Sequence, residues 1–344
     1  MNLLKVCKGV HHETRFCLSV LFLAGSLFST VLIVNNMPNT DPDFTTLSAA
    51  YTAAAPGDTL YIGGSTASYG DLTLTKPLTI IGTGYFLTQN PHTQATGYGA
   101  VLGALTYNSG SSGSLVSGCQ ISRVAFNTSN IIFKRNYLYD SSSVGVLIAS
   151  GVSSIAIIQN YLQKNNTYYL IQAQGSNSSL YIANNIMSYS PNNSGCYTFD
   201  MATSSSATIE QNVMYTSNNS VAFRVYNTVF QNNIMFGGTF TAGTGTTYFN
   251  NIGSGTQFGT LNGNQSNVNM STVFTLTGSP DANYTLLAGS PAIAAGVNGY
   301  DCGVFGGQAP YVLSGMPEGI PSIYQFSSPG AGFVIPAQIK AQAY

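Results

Sequence analysis

Residues 209–214 read IEQNVM, an Asn set among apolar residues, and five other segments of the chain repeat this arrangement. These segments are FKRNYL at 133–138, IIQNYL at 157–162, IANNIM at 182–187, FQNNIM at 230–235 and YFNNIG at 248–253. The aligned residues are Asn136, Asn160, Asn185, Asn212, Asn233 and Asn251, at spacings of 24, 25, 27, 21 and 18 residues. A drifting period near two dozen residues indicates a solenoid whose loops differ in length.

The residues around each Asn favour strands over helices. Ile, Phe or Tyr stands three positions earlier, and the two positions after the Asn are apolar until Gly253 ends the series. Amphipathic stretches with a 3.6-residue period are missing between 100 and 280. The pattern predicts an all-β parallel β-helix, in which each coil stacks its apolar side chains on the next coil ~4.8 Å away.

A structural role explains the repeated Asn. Asn tolerates the left-handed backbone that a sharp turn between strands requires. Its amide donates to one neighbouring coil and accepts from the other when coils stack in register, so we predict an internal ladder rather than catalysis. The position before each Asn is always polar and predicts a second ladder. Its members are Arg135, Gln159, Asn184, Gln211, Asn232 and Asn250.

The bulk composition excludes some functions. Only 6% of the residues are charged, with 10 basic against 11 acidic side chains, while 44% are hydrophobic. The chain therefore has no basic surface for nucleic acid or anionic lipid, and its apolar content is too high for disorder.

The first residues predict export. An apolar run from Phe16 to Leu23 precedes Ala24-Gly25-Ser26, which has the form of a signal-peptidase site. We predict a signal peptide over 1–29 with cleavage near 26–29, a secreted or outer-surface location, and no membrane span afterwards. The alternative is a membrane anchor extending through Val34. Cleavage removes Cys7 and Cys17.

The three remaining cysteines show no metal-binding spacing. Cys119, Cys196 and Cys302 are well separated, which favours packed thiols or one disulfide over a zinc or redox site.

The mature chain is predicted to be one β-helix domain, 30–308, followed by a tail, 309–344. Residues 44–58 predict a short capping helix, with Leu47, Tyr51 and Ala54 on one side, over the open N-terminal end of the solenoid. The tail carries five Pro between short apolar runs and is predicted to lie extended along the body.

Two segments resemble a known group of proteins. APGDTLYIGGSTASYGDLTLTKPLTIIGTG resembles the opening coils of right-handed parallel β-helix proteins of the pectate-lyase-like superfamily, and GSPAIAAG with DCGVFGG resembles their closing segment. The resemblance covers residues 31 to 326 and extends to a secreted subgroup from Bacteroidetes bacteria without assigned activity. It implies a right-handed helix, and it leaves function open because the superfamily contains lyases, hydrolases, epimerases and non-enzymatic surface proteins. Ala294 stands where the closing segment usually carries an acidic residue.

The resemblance also implies what an enzyme of this kind would need. Lyases of the superfamily hold Ca²⁺ with clustered carboxylates and use Arg or Lys as the base, and the hydrolases need paired acids. The best candidates here are Asp200 and Arg224, since TFDMA and AFRVY align on Phe199 and Phe223, with Gln172 one coil earlier. An ordinary surface ion pair explains the same alignment.

The other charged residues of the body are predicted to be structural. Glu210 has no carboxylate in its column, Lys134 lies three coils away in that column, and Asp140 is predicted to pair with Lys164. His92 stands in a loop without a nucleophile or carboxylate nearby.

Exposed Tyr side chains would stack on sugars. Tyr137 and Tyr161 are predicted to lie in the core, which leaves Tyr189 and Tyr226 as candidates for sugar contacts.

We therefore predict a non-enzymatic β-helix protein of the bacterial surface or of an extracellular assembly, without a cofactor. The tail is the predicted contact for self-association or for a cell-surface partner, and a strap folded over the last coil is the alternative. A polysaccharide lyase or glycoside hydrolase acting on an acidic glycan, with Ca²⁺ for the lyase, is a second possibility. A carbohydrate-binding module is a third.

Overall fold

Short apolar segments on both sides of each repeated Asn form parallel strands that stack from coil to coil. The computed structural model describes residues 29–94, 96–139, 143–166, 168–191, 197–217, 222–327 and 338–344. Residues 1–28 of the predicted signal peptide, Cys196 and Asp140 lie outside these residues. The predicted parallel β-helix is confirmed, with three strands in each regular coil.

Face A contains the strand that precedes each turn, and it is a parallel sheet of ten strands. In order they are β1 (Val31–Val34), β2 (Thr59–Ile62), β4 (Thr79–Ile81), β6 (Leu115–Ser117), β8 (Ile131–Lys134), β11 (Ile155–Ile158), β14 (Leu180–Ala183), β17 (Ala207–Glu210), β20 (Thr228–Gln231) and β23 (Thr247–Phe249).

A second sheet begins with three strands and then divides into two faces. The initial strands are β3 (Leu72–Leu74), β5 (Ala100–Tyr107) and β7 (Cys119–Phe126). Face B follows each turn and contains β9 (Tyr137–Leu138), β12 (Tyr161–Lys164), β15 (Ile186–Tyr189), β18 (Val213–Thr216), β21 (Ile234–Phe236) and β24 (Ile252–Gly253). Face C completes the coils with β10 (Val146–Ile148), β13 (Ile171–Ala173), β16 (Tyr197–Met201), β19 (Ala222–Val225) and β22 (Thr239–Ala242).

The six repeated Asn occupy the turn between faces A and B and form a continuous column of hydrogen bonds. Asn160 illustrates the pattern, since its Nδ2 donates to Phe133 O and to Asn185 Oδ1, both at 2.9 Å, and its Oδ1 accepts from Asn136 N at 2.8 Å. The same bonds join Asn185, Asn212, Asn233 and Asn251 in turn. Every amide is buried and is satisfied by its neighbours, so the column crosslinks successive coils.

The column extends beyond the predicted six residues at both ends. Asn264 Oδ1 accepts from the backbone and side-chain nitrogens of Asn251 at 2.9 and 3.1 Å. At the other end, Cys119 takes the ladder position, and its backbone nitrogen donates to Asn136 Oδ1 at 3.1 Å. The sequence pattern misses both because position 119 is Cys rather than Asn and because a polar residue, Gln120 or Gln265, directly follows each position.

The left-handed residue of each turn is not the ladder Asn, and this part of the prediction is wrong. The residue immediately before it adopts positive φ, between 53° and 58°. These residues are Arg135, Gln159, Asn184, Gln211, Asn232 and Asn250. The left-handed residue turns the chain so that the next side chain, that of the Asn, enters the stack.

The two apolar positions after each Asn point to opposite sides of face B. The second position, for example Leu162 or Met214, lies in the main core inside the coils. The first position lies outside and is buried in a second cluster under the C-terminal segment. That cluster contains Tyr161, Ile186, Val213, Ile234 and Ile252 from face B, and Met270, Val273, Phe274, Val304 and Tyr311 from the covering chain. Each such side chain, once buried, contributes about 1.5–3 kcal/mol.

The covering segment continues as a strap, residues 295–316, that runs back along the outside of the turns. Its backbone binds five of the six polar residues that precede a ladder Asn, and Gln211 Oε1 has no partner among the described residues. The predicted second ladder is therefore wrong except for the bond from Arg135 Nε to Gln159 Oε1. The strap contacts are Asn250 with Ala295 O, Asn232 with Val297 N, Asn184 with Val304 O and Gly306 O, Gln159 with Ala309 O, and Arg135 with Met316 O.

A buried carboxylate attaches the end of the strap to the N-terminal half of the solenoid. Asp281 is fully buried and accepts from Asn90 Nδ2 at 3.0 Å and from Ser314 N at 2.7 Å. The hydroxyl groups of Tyr85 and Tyr311 lie 2.6 Å apart beside it. The predicted strap over the last coil is therefore replaced by one that returns to the first coils.

The two ends of the chain differ in their packing. The helix α1 (Leu47–Ala53) begins at Thr46, whose Oγ1 accepts from Ala49 N at 3.3 Å, and it buries Leu47 and Ala50 against the first coil. After the strap, β25 (Ser322–Ser327) pairs antiparallel with β26 (Gln338–Gln342) in a hairpin on the outside of the body. Short 3-10 turns occur at Met270–Thr272, Ala282–Tyr284, Val297–Gly299 and Leu313–Gly315. None of the helices in the described part of the chain has the length and apolar character needed to cross a bilayer.

Candidate functional site

The predicted acid and base meet on face C. Strand register places Gln172, Asp200, Arg224 and Thr241 opposite one another in successive coils. Arg224 Nε donates to Asp200 Oδ1 at 2.8 Å, and the guanidinium carbon lies 4.6 Å from the centre of the Tyr197 ring. The pair borders a shallow groove of about 360 Å³ that Tyr226 also lines.

The electrostatics of this pair oppose base catalysis. The hydrogen bond to Asp200 raises the pKa of Arg224 above its ordinary value. A β-elimination base must accept a proton, and a guanidinium held more firmly in its charged form does so less readily. The arrangement is that of a partly exposed ion pair supported by a cation–π contact.

The groove does not fit a calcium ion. Calcium takes six to eight oxygen ligands, usually from several carboxylates. Asp200 is the one carboxylate among the described residues that line this groove, and its Oδ1 is bound to Arg224. Within the described ranges, no group of three or more His, Cys, Asp or Glu is placed to hold a metal.

Lys134, Lys164 and His92 have structural partners. Lys134 pairs with Glu318 just after the strap, which lowers the pKa of Glu318. Lys164 is buried, and its Nζ donates to Ser143 O at 2.5 Å; its predicted partner, Asp140, is outside the described residues. His92 stacks on Tyr324 of the hairpin at 4.7 Å between ring centres.

The predictions for the tyrosines need correction. Tyr189 is fully buried and donates its hydroxyl to Tyr168 O at 2.6 Å, so it is not available to a sugar. Tyr161 is buried as predicted, but it and the partly buried Tyr137 pack outside face B against the cover rather than inside the coils. Tyr226 remains half-exposed beside Arg224.

Two predicted mature cysteines are within the described residues, and both are free thiols. Cys119 and Cys302 are buried, and burial raises the pKa of each thiol to about 12. Neither is a reactive nucleophile in the folded protein.

A second cavity, of about 330 Å³, lies between face A and the strap. Tyr181, Glu210 and Gln231 line it from the sheet, and Asn298 and Tyr300 line it from the strap. Tyr181 donates its hydroxyl to Glu210 Oε1 at 2.8 Å, and Gln231 Nε2 donates to Glu210 Oε2 at 2.6 Å. The sequence predicts that Glu210 is isolated from other carboxylates, and Glu210 is the one carboxylate among the described residues that line this cavity. The sequence carries no signal that residues 297–309 return to form the opposite wall.

Comparisons with known proteins assign no family to this chain. No protein family and no curated protein matches the sequence. Among solved structures, the crystal structure of pectate lyase Pel9A resembles this chain at 13% sequence identity and a TM-score of 0.42. The similarity covers 80% of this chain and 96% of that one. A resemblance of this size carries no inference about activity, and the predicted export and bacterial subgroup stay predictions.

Proposed function

We propose that the chain is an exported, non-enzymatic β-helix protein with a structural or adhesive role at the bacterial surface or in an extracellular assembly. The observation that carries the proposal is the Asp200–Arg224 pair, the best chemical candidate, in which each group neutralises the other. A lyase of acidic glycans would need both a free base and a cation site at this position.

The tail supports the adhesive part of the proposal. The β25–β26 hairpin forms backbone pairs with itself, and it leaves Ile323, Phe326 and Ile339 exposed, with Phe326 at 62%. The low charge of the chain offers little repulsion to a partner that packs on the hairpin. We assign the contact for self-association, or for a cell-surface partner, to this hairpin.

One assay tests the non-enzymatic part. The mature protein is incubated with polygalacturonate or alginate in the presence of Ca²⁺, and absorbance of unsaturated products is followed in the ultraviolet. We expect no product. Product that disappears in Arg224→Ala would overturn the proposal and make Asp200 and Arg224 catalytic residues.

A truncation tests the adhesive part. Because the strap ends at residue 316, truncation after Ser328 removes β26 and leaves the strap in place. We expect the truncated protein to be monomeric with an unchanged melting temperature, while the full mature chain associates or binds a cell-surface fraction. A full mature chain that stays monomeric at high concentration and binds no such fraction would refute this role.

A further inference from the structure

The cavity between face A and the strap contains a buried polar group without a protein partner. Gln211 lines the cavity and is only 3% exposed, and its Oε1 accepts no hydrogen bond from any described residue. An unsatisfied buried acceptor is unfavourable. Less than 1 Å² of this oxygen is accessible, so it marks a place where the strap and face A fit imperfectly, and the cavity lies beside it.

The neighbours of Gln211 in the same column show why its Oε1 has no hydrogen-bond partner. Asn184, one coil before, donates to Val304 O and Gly306 O of the strap, both at 2.9 Å. Asn232, one coil after, accepts from Val297 N at 2.9 Å. Between these two contacts the strap forms a loop in which Asn298 has φ of 59°, and Gly303 N then donates to Asn232 O at 2.9 Å. Val297, Asn298 and Tyr300 of this loop line the cavity beside Gln211.

The walls of the cavity combine aromatic surface with hydrogen-bonding groups. Tyr181 on the sheet and Tyr300 on the strap are 38% and 36% exposed. Amide groups of Gln231 and Asn298 lie between them. Aromatic faces pack against the C–H groups of a pyranose ring, and amides and carboxylates bond its hydroxyl groups. The volume is at the lower end for small-molecule sites and suits a short saccharide unit.

The negative charge of one lining residue favours uncharged saccharides over uronates. Among the described residues that line the cavity, Glu210 is the one charged side chain, and none is Lys or Arg. A uronate would meet a carboxylate there without a compensating cation, which is unfavourable in a partly desolvated site. Hydroxyl groups, in contrast, donate well to the Glu210 carboxylate.

We propose that this cavity binds an uncharged saccharide, with a sugar hydroxyl donating to the Glu210 carboxylate and a pyranose ring packed between Tyr181 and Tyr300. The inference rests on the proposed adhesive function, and it names the class of ligand that the protein would bind in that role. The site is separate from the Asp200–Arg224 groove on face C.

Isothermal titration of the full mature protein tests the site. The probes are hexasaccharides of β-1,4-linked glucose, xylose and mannose and of α-1,4-linked glucose, with hexagalacturonate as the charged counterpart. We expect at least one neutral probe to bind and hexagalacturonate to bind at least ten-fold more weakly. Preference for hexagalacturonate, or binding of none of the neutral probes, overturns the proposal.

Variants locate the binding. Glu210→Gln removes the charged acceptor at similar size, and Tyr300→Ala removes an aromatic wall on the strap; each is expected to weaken binding at least ten-fold. The matched controls, Asp200→Asn and Tyr226→Ala, change the face C groove and are expected to bind as the unaltered protein does. If Glu210→Gln does not fold, the result for Tyr300→Ala is the test. Binding that survives Tyr300→Ala refutes the site.

The outcomes separate this inference from the proposed function. Unsaturated product from polygalacturonate would refute the non-enzymatic function and would leave the titration with neutral probes unaffected. Loss of self-association after truncation would support the hairpin as the contact without altering the cavity.

Discussion

Two columns of polar side chains stand next to each other along the turns between faces A and B, and they behave differently. In the ladder column every residue from Asn136 to Asn264 is Asn, and successive residues are joined by hydrogen bonds. In the preceding column the residue type varies, and five of its six members bind the strap. Arg135 and Gln159 also bind each other, and Gln211 Oε1 has no partner among the described residues. A contact that repeats between similar coils requires the same residue type in each coil. A contact to a segment that does not repeat requires a different residue type at each position.

This comparison predicts that substitutions in the ladder column lower the stability of the whole solenoid, and that substitutions in the preceding column loosen only the strap. The first test is Asn185→Leu. Its Nδ2 donates to Ile157 O at 2.7 Å and to Asn212 Oδ1 at 3.0 Å, and its Oδ1 accepts from both nitrogens of Asn160. The substitution leaves these buried groups without hydrogen-bond partners, and it should lower the free energy of unfolding by about 3 kcal/mol. Chemical denaturation measures the loss.

The control for the ladder is Asn127→Leu, at an exposed position whose side chain makes one bond to Asn108. We expect it to change the free energy of unfolding by less than about 0.5 kcal/mol. Equal stabilities of the two variants would contradict the ladder as the link between coils.

The second test is Asn184→Ala in the neighbouring column. It removes two bonds to Val304 O and Gly306 O, and it should cost about 1–2 kcal/mol, mainly in strap docking. Hydrogen exchange should rise over 297–316, while the backbone amides of the ladder stay protected. A uniform rise over all coils would mean that the strap and the coils unfold as one unit.

The third test uses the two buried thiols, since Cys119 lies in the ladder column and Cys302 in the strap. Each is kept alone in a variant whose other cysteines are Ser. Both should react slowly with a disulfide reagent at pH 8, because burial raises the pKa of each to about 12 and little thiolate forms. Cys302 should react at least ten-fold faster, or about 1.4 kcal/mol, since the strap opens locally. Equal rates would contradict this.

The smallest effect is expected from Glu318→Gln, which removes the ion pair with Lys134 just beyond the strap. The glutamate is largely exposed, so we expect a loss of less than about 1 kcal/mol at neutral pH. Lys134 lowers the pKa of Glu318 in the folded state. The pair therefore stabilises above the unfolded pKa and stops doing so as pH falls through the folded one. Unfolding at pH 7 and pH 3 checks this, and a difference that persists at pH 3 would contradict the assignment.

The sequence predicts the fold more completely than it predicts the candidate sites. The register of Asp200 on Arg224 and of Glu210 on Gln231 follows from counting residues within adjacent repeats. The outside burial of Tyr161 and the burial of Tyr189 do not follow, because alternation along a strand assigns a side chain to a face but not to what covers that face. Two consecutive apolar positions after each Asn, such as Ile186 and Met187, are the signal that face B is buried on both sides.

The sequence by itself determined the coil and its ladder, because a contact repeated every two dozen residues leaves a repeated residue type at each position. It determined the capping helix as well, through the spacing of Leu47, Tyr51 and Ala54 before Pro56. Only the tertiary structure decided that residues 295–316 return along the outside, that Gln211 lacks a partner there, and that Tyr300 faces the same cavity as Tyr181. These contacts join residues far apart in the chain and occur once, so no periodicity records them.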